Sequence, residues 1–473
     1  MAVAATLPVA STTATFTPVI VPTGTPLSCG LVHSWPVTEP YGIAYGASSA
    51  NTQVYVADDS INLIDVFSAS GAPLGTIGSG TIYEAASGPS LHPMHEHRAT
   101  TDLAGRALST SVVTSAADLA DAGWDDLVIG SGRDLPAHHL YTSALWLRRY
   151  ELFGHWDQRY LLASEEETLL GGLATHRVDS RNATAQIRID NLFDGGSPAE
   201  DGGASIAPCR VAGGLIDGRT GALTRPGLSL RQRAAVVDRL FSEAEDVAAE
   251  LGERSVVCRC IDAGDLLLRR VLRGRGYVEV PGPDHLILTP PPGGLDGYIA
   301  SFPNRYRNMI RREIRKLRDA GVTVTVEVLT RDLVAAVLPL ITQLNEKHDL
   351  GIQSDDARGS LEMLRRSFGK DAYAVVARAG GRPVGFVELV LYRGNAWASQ
   401  AGFDYGFQGA LPLYFGVLFY GVMDFASSAR LSKIDYSFGT DVAKTSRGCT
   451  RRPTVRAVRA LDPAEHARLR QRP

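Results

Sequence analysis

The chain has 473 residues, of which 44% are hydrophobic and 21% charged, and a formal net charge of −3. This length points to two or three domains with sizeable cores. The charge balance excludes a polycation that seeks nucleic acid with its whole surface, although basic residues crowd into positions 305–318 and 447–456. The five cysteines, Cys29, Cys209, Cys258, Cys260 and Cys449, have neither the number nor the spacing of a disulfide framework or a zinc site. No apolar run is long enough to cross a bilayer, and no basic segment precedes an apolar one at the N-terminus. These features predict a cytoplasmic protein with reduced thiols, no metal and no membrane span.

Residues 1–26, rich in Ala, Thr, Val and Pro, read as a disordered tail. Residues 27–100 read as a β-rich extension, with short strands predicted at 40–45, 54–58, 62–67 and 71–77 between turn residues. A single unit of this kind cannot bury both its faces, so a partner surface on another chain is one role for it. His92, His95 and His97 crowd together in a predicted loop, but no further ligand follows at metal-site spacing.

The first globular domain is expected over 101–288. Residues 102–122 read as a linker into a short helix, and 139–150 as an amphipathic helix. A strand pair is expected at 159–163 and 169–175, and an inserted polar loop at 182–213. A long helix over 228–251 places Val236, Val237, Leu240, Phe241 and Val247 on one face. A strand over 255–261 then carries Cys258 and Cys260 to opposite sides, and a helix opened by Asp265 leads to a further strand.

The second domain is expected over 289–473. A basic helix over 304–318 has an apolar stripe of Tyr306, Ile310, Ile314 and Leu317. Arg307, Arg311, Arg315 and Arg318 line one flank, and Arg305, Arg312 and Lys316 the other. Like charges four residues apart repel by a few tenths of a kcal/mol, a cost that an anionic ligand would remove. A strand over 322–328 and helices over 333–349 and 360–368 lead to three consecutive strands, 372–378, 383–391 and 396–403. Then come the loop 404–412, an apolar helix over 413–427 with Pro412 in its first turn, a buried strand over 433–438, and a polar loop ending in Lys444, Arg447 and Gly448. A strand that passes through a glycine-bearing loop into a helix aims N–H groups and a positive helix end at one place.

This second domain resembles the GNAT acyltransferases, and within them the FemAB-like and CelD-type branch. The residues that carry the likeness are Gln400-Ala-Gly-Phe-Asp404, the Pro412 helix, Asp435 to Gly439, Lys444 with Gly448, and the arginine-rich helix before Gly321-Val322. The helix–Gly–strand order in the first domain repeats the pattern, so the expected fold class is α/β with tandem GNAT-like domains and a short β-rich N-terminal extension. The phrases Tyr-Val-Ala-Asp and Asp-Val-Phe in the extension resemble one blade of an NHL-type propeller.

The resemblance implies an N-acyltransferase that moves an acyl group to an amine. Its donor is acyl-CoA or, as in FemAB-type enzymes, aminoacyl-tRNA; the acceptor is a small-molecule or peptide amine. The donor loop departs from the family pattern Gln/Arg-x-x-Gly-x-Gly/Ala, offering only Gly406, Gly409, Ala410 and Leu411. That departure and the basic helix both lean towards tRNA as the partner, since tRNA needs many phosphate contacts. Lys444 is the expected catalytic cation. Glu388, mid-strand, is the expected base, because burial of a carboxylate favours its protonated form. Arg307, Arg311, Arg315, Lys316, Asp404, Tyr405 and Arg447 are the expected substrate-binding set. A non-catalytic binding protein is the remaining reading.

Overall fold

The structure, a computed structural model, describes residues 108–131, 139–151, 157–179, 206–213, 220–348, 352 and 354–471, together with six N-terminal strands. Two compact units result, 1–99 and 100–473. In the first, β1 (Val3–Ala5), β2 (Pro40–Ala47), β3 (Thr52–Asp58), β4 (Leu63–Ser68), β5 (Pro73–Gly78) and β6 (Thr81–Glu84) form one sheet in sequence order. The four strands read from the sequence are among them. Val3–Ala5 adds a fifth pairing, which the reading of 1–26 as a tail does not contain. The histidines at 92–97 lie outside the described residues.

The second unit holds two sheets. The first comprises β7 (Ser109–Val113), β8 (Gln158–Glu165), β9 (Thr168–Val178), β10 (Cys209–Ala212), the short β11 (Leu223–Thr224), β12 (Ser255–Asp262) and β13 (Val278–Pro281). The second comprises β14 (His285–Leu288), β15 (Val322–Val328), β16 (Ala372–Ala379), β17 (Arg382–Tyr392), β18 (Asn395–Phe403), β19 (Lys433–Asp435) and β20 (Thr450–Arg452). The last strand, β21 (Thr454–Ala460), returns to the first sheet.

The strand orders are β13-β21-β12-β10-β9-β8-β7 and β15-β16-β17-β18-β19-β14-β20. Both sheets therefore follow one plan. Four antiparallel strands are followed by a single parallel pair, β10 with β12 and β18 with β19. Beyond each pair come two more strands, one of them borrowed. Strand β21, from the chain's end, inserts between β12 and β13, and β14, from the junction, inserts between β19 and β20. This exchange cuts across a boundary at 288/289, since each half completes the other's sheet.

Six helices matter for the site: α1 (Leu230–Glu250), α2 (Leu266–Gly274), α3 (Asn304–Asp319), α4 (Arg331–Lys347), α5 (Ser354–Phe368) and α6 (413–428). Helix α1 starts in a capping box between Ser229 and Gln232 and buries the predicted face of Val236, Val237, Leu240 and Phe241. Helices α4 and α5 pack on one face of the second sheet, in a core shared with Tyr141, Trp146 and Val211 of the first half. Helices α3 and α6 cover the other face. Helix α4 lies so close to β18 that a Cβ on Gly402 would meet the Leu340 carbonyl carbon at 2.6 Å. Helix α6 is interrupted by a π turn over Gly416–Tyr420, an irregularity often found at functional sites.

Several expectations need correction. Residues 109–113 and 209–212 are strands, hidden in small-residue and polar stretches that pattern reading assigned to a linker and a loop. The helix expected over 139–150 breaks at Ser143, whose hydroxyl donates to the Leu140 carbonyl. The strand expected over 433–438 stops at Asp435.

Candidate active site at the split between two strands

Strands β18 and β19 pair only from Asn395 to Trp397 and from Lys433 to Asp435. Beyond that point β18 runs on to Phe403 while the other chain turns away, so the sheet splits open. The turn is strained. Ser437 has φ +57° and Thr440 φ +51°, left-handed conformations that cost a non-glycine residue on the order of 1–3 kcal/mol each.

Several bonds hold that turn. Asp435 Oδ1 accepts the Ser437 N–H at 2.7 Å. The Lys444 ammonium donates to the carbonyls of Tyr436 at 2.6 Å and Phe438 at 2.9 Å. The hydroxyls of Tyr414, at the start of α6, and Thr440 are 2.7 Å apart. Strained backbone fixed from several sides at the open end of an α/β sheet is what a binding site there requires.

The expectation of a free Lys444 ammonium on a loop is corrected. Lys444 lies on a helical turn, Asp441–Thr445, and its side chain is buried with its charge directed inward at carbonyls. Glu388 is fully buried. It sits at a β-bulge, where Val387 pairs with Ala401 and Leu389 with Ala398, leaving Glu388 opposite both Ser399 and Gln400. The Ser399 hydroxyl donates to Glu388 Oε1. The bulge thus turns a carboxylate and a hydroxyl towards each other beside the split, as bulges next to active sites do.

Arg447 is also buried, and its guanidinium is fully engaged. Nη2 donates to both Glu313 oxygens, at 3.0 and 2.9 Å, Nε donates to the Tyr420 hydroxyl at 2.9 Å, and the group stacks 3.7 Å over the Phe415 ring. Tyr420 in turn donates to Glu313. The expected anion-binding role of Arg447 gives way to a structural one: it ties α3 to α6 and to the strand exchange.

On α3, Ile310 and Leu317 are buried, but Tyr306 is 41% exposed, so the apolar stripe is shorter than its spacing predicts. The first turn projects past the core, and Tyr306 rests against Phe302. Arg305, Arg311, Arg312, Arg315 and Lys316 are exposed and Arg307 half-buried. None of the six forms an ion pair among the described residues. Glu313, the acid among them, is already held by Arg447.

The loop containing Gly406, Gly409, Ala410 and Leu411 uses N–H groups on itself. Asp404 accepts the Phe407 N–H at 3.0 Å, the Gln408 N–H goes to the Asp404 carbonyl, and the Leu411 N–H to the Gln408 carbonyl. The Phe407 N–H, with Arg382 at 2.6 Å, holds the Asp404 carboxyl below the usual range, so a charged carboxylate stands at the head of this loop. The Tyr405 N–H donates to Gln343, and the Lys347 ammonium lies 3.6 Å over its ring. Gly409, at φ +45°, makes the sharp turn that only glycine adopts readily.

The corresponding split in the first half is stitched shut. Thr220, buried, donates its N–H to the Cys260 carbonyl at 2.9 Å and its hydroxyl to the Ala212 carbonyl at 2.8 Å, and it accepts the Arg259 N–H at 3.2 Å. Sequence reading missed Tyr420 and Thr220, whose partners lie far away in the chain or across a strand, and it gave Asp435 and Ser437 only as part of a strand end.

Residues 304–445 match the family described as an acetyltransferase (GNAT) domain. No curated protein matches the chain. Among solved structures, the fold is similar to a tandem GNAT protein from the clavulanic acid biosynthesis pathway, with 14% identity, 75% of this chain and 99% of that chain covered, and a TM-score of 0.46. It is also similar to the C-terminal domain of a putative lysylphosphatidylglycerol synthetase from Agrobacterium fabrum, with 11% identity, coverage of 76% and 96%, and a TM-score of 0.46. FemX gives 10% identity, coverage of 74% and 96%, and a TM-score of 0.48. The match over 304–445 and the strand plan common to both sheets make this a tandem GNAT-like α/β fold, of a kind that carries transferases.

Proposed function

We propose that the second sheet carries an acyl transfer to an amine, with an aminoacyl-tRNA as donor. The acyl group lies in the split between β18 and β19. Glu388, polarised by Ser399, takes the proton that an incoming ammonium must lose to become a nucleophile. Asp404 and Tyr405, at the strand end, orient the acceptor, a small-molecule or peptide amine. Arg307, Arg311, Arg315 and Lys316 take phosphates of the donor. Lys444 and Arg447 hold the turn and α3 in place.

The choice of donor rests on one contrast. A pyrophosphate needs free N–H groups at the loop after β18, and here the Phe407, Gln408 and Leu411 N–H groups bond within the loop, which is headed by the Asp404 carboxylate. Helix α3 instead presents six cations without ion-pair partners among the described residues, a density of charge suited to a polynucleotide backbone. The second reading, an acyl-CoA donor, draws its support from the family match over 304–445.

The test is binding of the purified chain to charged tRNA, acetyl-CoA and longer acyl-CoAs over a salt series. The proposal expects tRNA binding that falls steeply with salt. Tight acetyl-CoA binding with salt-independent affinity, and none of tRNA, would replace it by the second reading.

A further inference from the structure

Helix α3 carries more than charge. Tyr306 is 41% exposed, yet its ring is backed from behind. It stands 6.3 Å from the Phe302 ring, with the two planes 34° apart. Phe302 in turn stands 5.0 Å from the ring of Tyr298, on the preceding helix Gly294–Ala300. Tyr298 is buried, and its hydroxyl donates to the Arg447 carbonyl at 2.8 Å. Three rings thus run outward from the core of the second sheet, and the last of them is open to solvent.

A recess of about 670 Å³ lies beside that ring, lined by Arg305, Tyr306, Asn308, Met309, Arg312 and Arg315. Helical spacing brings these six together, since residues three and four apart are neighbours on a helix. Met309 has Tyr306 and Arg312 three positions before and after it and Arg305 four before, and Asn308 and Arg315 continue the same side. Arg305, Asn308, Arg312 and Arg315 are exposed and Met309 is half-buried. None of the three guanidiniums forms an ion pair among the described residues. An unstacked base needs a ring to stack on, cations for the phosphates on either side, and a polar group for its edge. Tyr306 with Met309, the arginines and Asn308 are those parts. A lipid surface needs an apolar helix face to sink into it. The other exposed large apolar side chains among the described residues, Val112, Ile129, Val328 and Val442, lie on other elements, so α3 offers one ring among cations instead.

We propose that Tyr306 and Met309, flanked by Arg305 and Arg312, form a stacking platform for an unpaired base of RNA. Helix α3 then binds a single-stranded part of the donor in preference to its duplex, where every base is already stacked. This rests on the aminoacyl-tRNA reading above and adds to it residues that the sequence did not single out as binding residues: Tyr306, Met309, Arg305, Arg312 and Asn308. The base lies on the Tyr306 ring, which Phe302 supports from the other end of the row. Arg305 and Arg312 take the phosphates on its two sides, and Asn308 bonds to its edge. Such a platform tolerates any base, because every base has a π-face. It is also tied to the split. Arg447, whose carbonyl anchors Tyr298, follows by three residues the lysine that braces the turn there.

The full-length protein is titrated into two fluorescent RNA hairpins with equal numbers of phosphates, one ending in an unpaired tail and one blunt. Fluorescence anisotropy reads the binding. The expected result is tighter binding of the tailed hairpin, by about tenfold, as for one stacked base. Tyr306→Ala removes this preference and leaves binding of the blunt hairpin unchanged, whereas Tyr306→Phe keeps it. The preference also persists as salt is raised, while both affinities fall. Equal binding of the two hairpins by the parent, or a preference that survives in Tyr306→Ala, would overturn the platform and leave the donor reading standing. So would Tyr306→Ala weakening capture by phosphatidylglycerol vesicles with RNA binding untouched, which would assign the face to lipid. Loss of the tail preference in Tyr306→Ala, in a protein that transfers only from acyl-CoA, would keep the platform and remove the donor reading instead. Binding of neither hairpin would remove both.

Discussion

Lys444→Met separates support from catalysis. The side chain is 5% exposed, and its ammonium serves two carbonyls, one buried at 2.6 Å and one partly buried at 2.9 Å. Methionine fills a similar volume and offers no donor. Each buried acceptor left unpaired costs about 1–3 kcal/mol, and relief from burying a cation offsets part of that, leaving about 2–4 kcal/mol. The turn carrying Ser437 and Thr440 also loses a brace against its strain. With a urea slope of about 3 kcal/mol per molar, the unfolding midpoint of the tandem unit should fall by about 1 M. The assay is urea denaturation followed by far-ultraviolet circular dichroism, with transfer activity measured on the same samples below the transition. An unchanged midpoint with activity down a hundredfold would refute this reasoning and return Lys444 to the chemistry.

Other consequences follow from the same geometry. Arg311→Glu with Arg315→Glu should leave the unfolding midpoint unchanged, since both residues are exposed and without ion-pair partners among the described residues; tRNA binding should weaken and its salt slope flatten by about 0.7 per lost phosphate contact, as read by filter binding. Glu313→Gln should destabilise by about 3 kcal/mol, because it leaves the buried Arg447 charge without its carboxylate; urea midpoints would show it. Burial pushes His176 down to about 4, with Arg210 adding to the effect against the bond to the Gly213 carbonyl. Its folded value lies below its ordinary one, so the associated stability is present above about pH 6.5 and is lost as pH falls towards about 4. The parent chain should lose up to about 3 kcal/mol more across that window than His176→Gln.

The sequence was legible where local pattern and tertiary structure agree. The long helix α1, strands β15 to β18 and the cap at Asp265 follow from periodicity and capping residues, which need no distant partner. The strand exchange was not legible. Strands β14, β20 and β21 are short or rich in arginine, and their partners lie 146 or more residues away in the chain. Lys444 and Arg447 were found as important positions, but spacing alone could not tell a cation aimed at a ligand from one aimed at a carbonyl or a buried glutamate. Glu388 was legible because a carboxylate amid Val, Phe and Leu on a central strand needs a reason. The bulge that supplies its partner, Ser399, is a register shift that no pattern displays.

The most direct measurement of the central claim is single-turnover transfer of a radiolabelled aminoacyl group from charged tRNA to an amine, by the parent chain and by Glu388→Gln. The account predicts a labelled amide with the parent and a rate lowered by about a hundredfold or more with the variant, at unchanged tRNA affinity. Release of the label only as free amino acid, or amide formation at the same rate by both proteins, would contradict it.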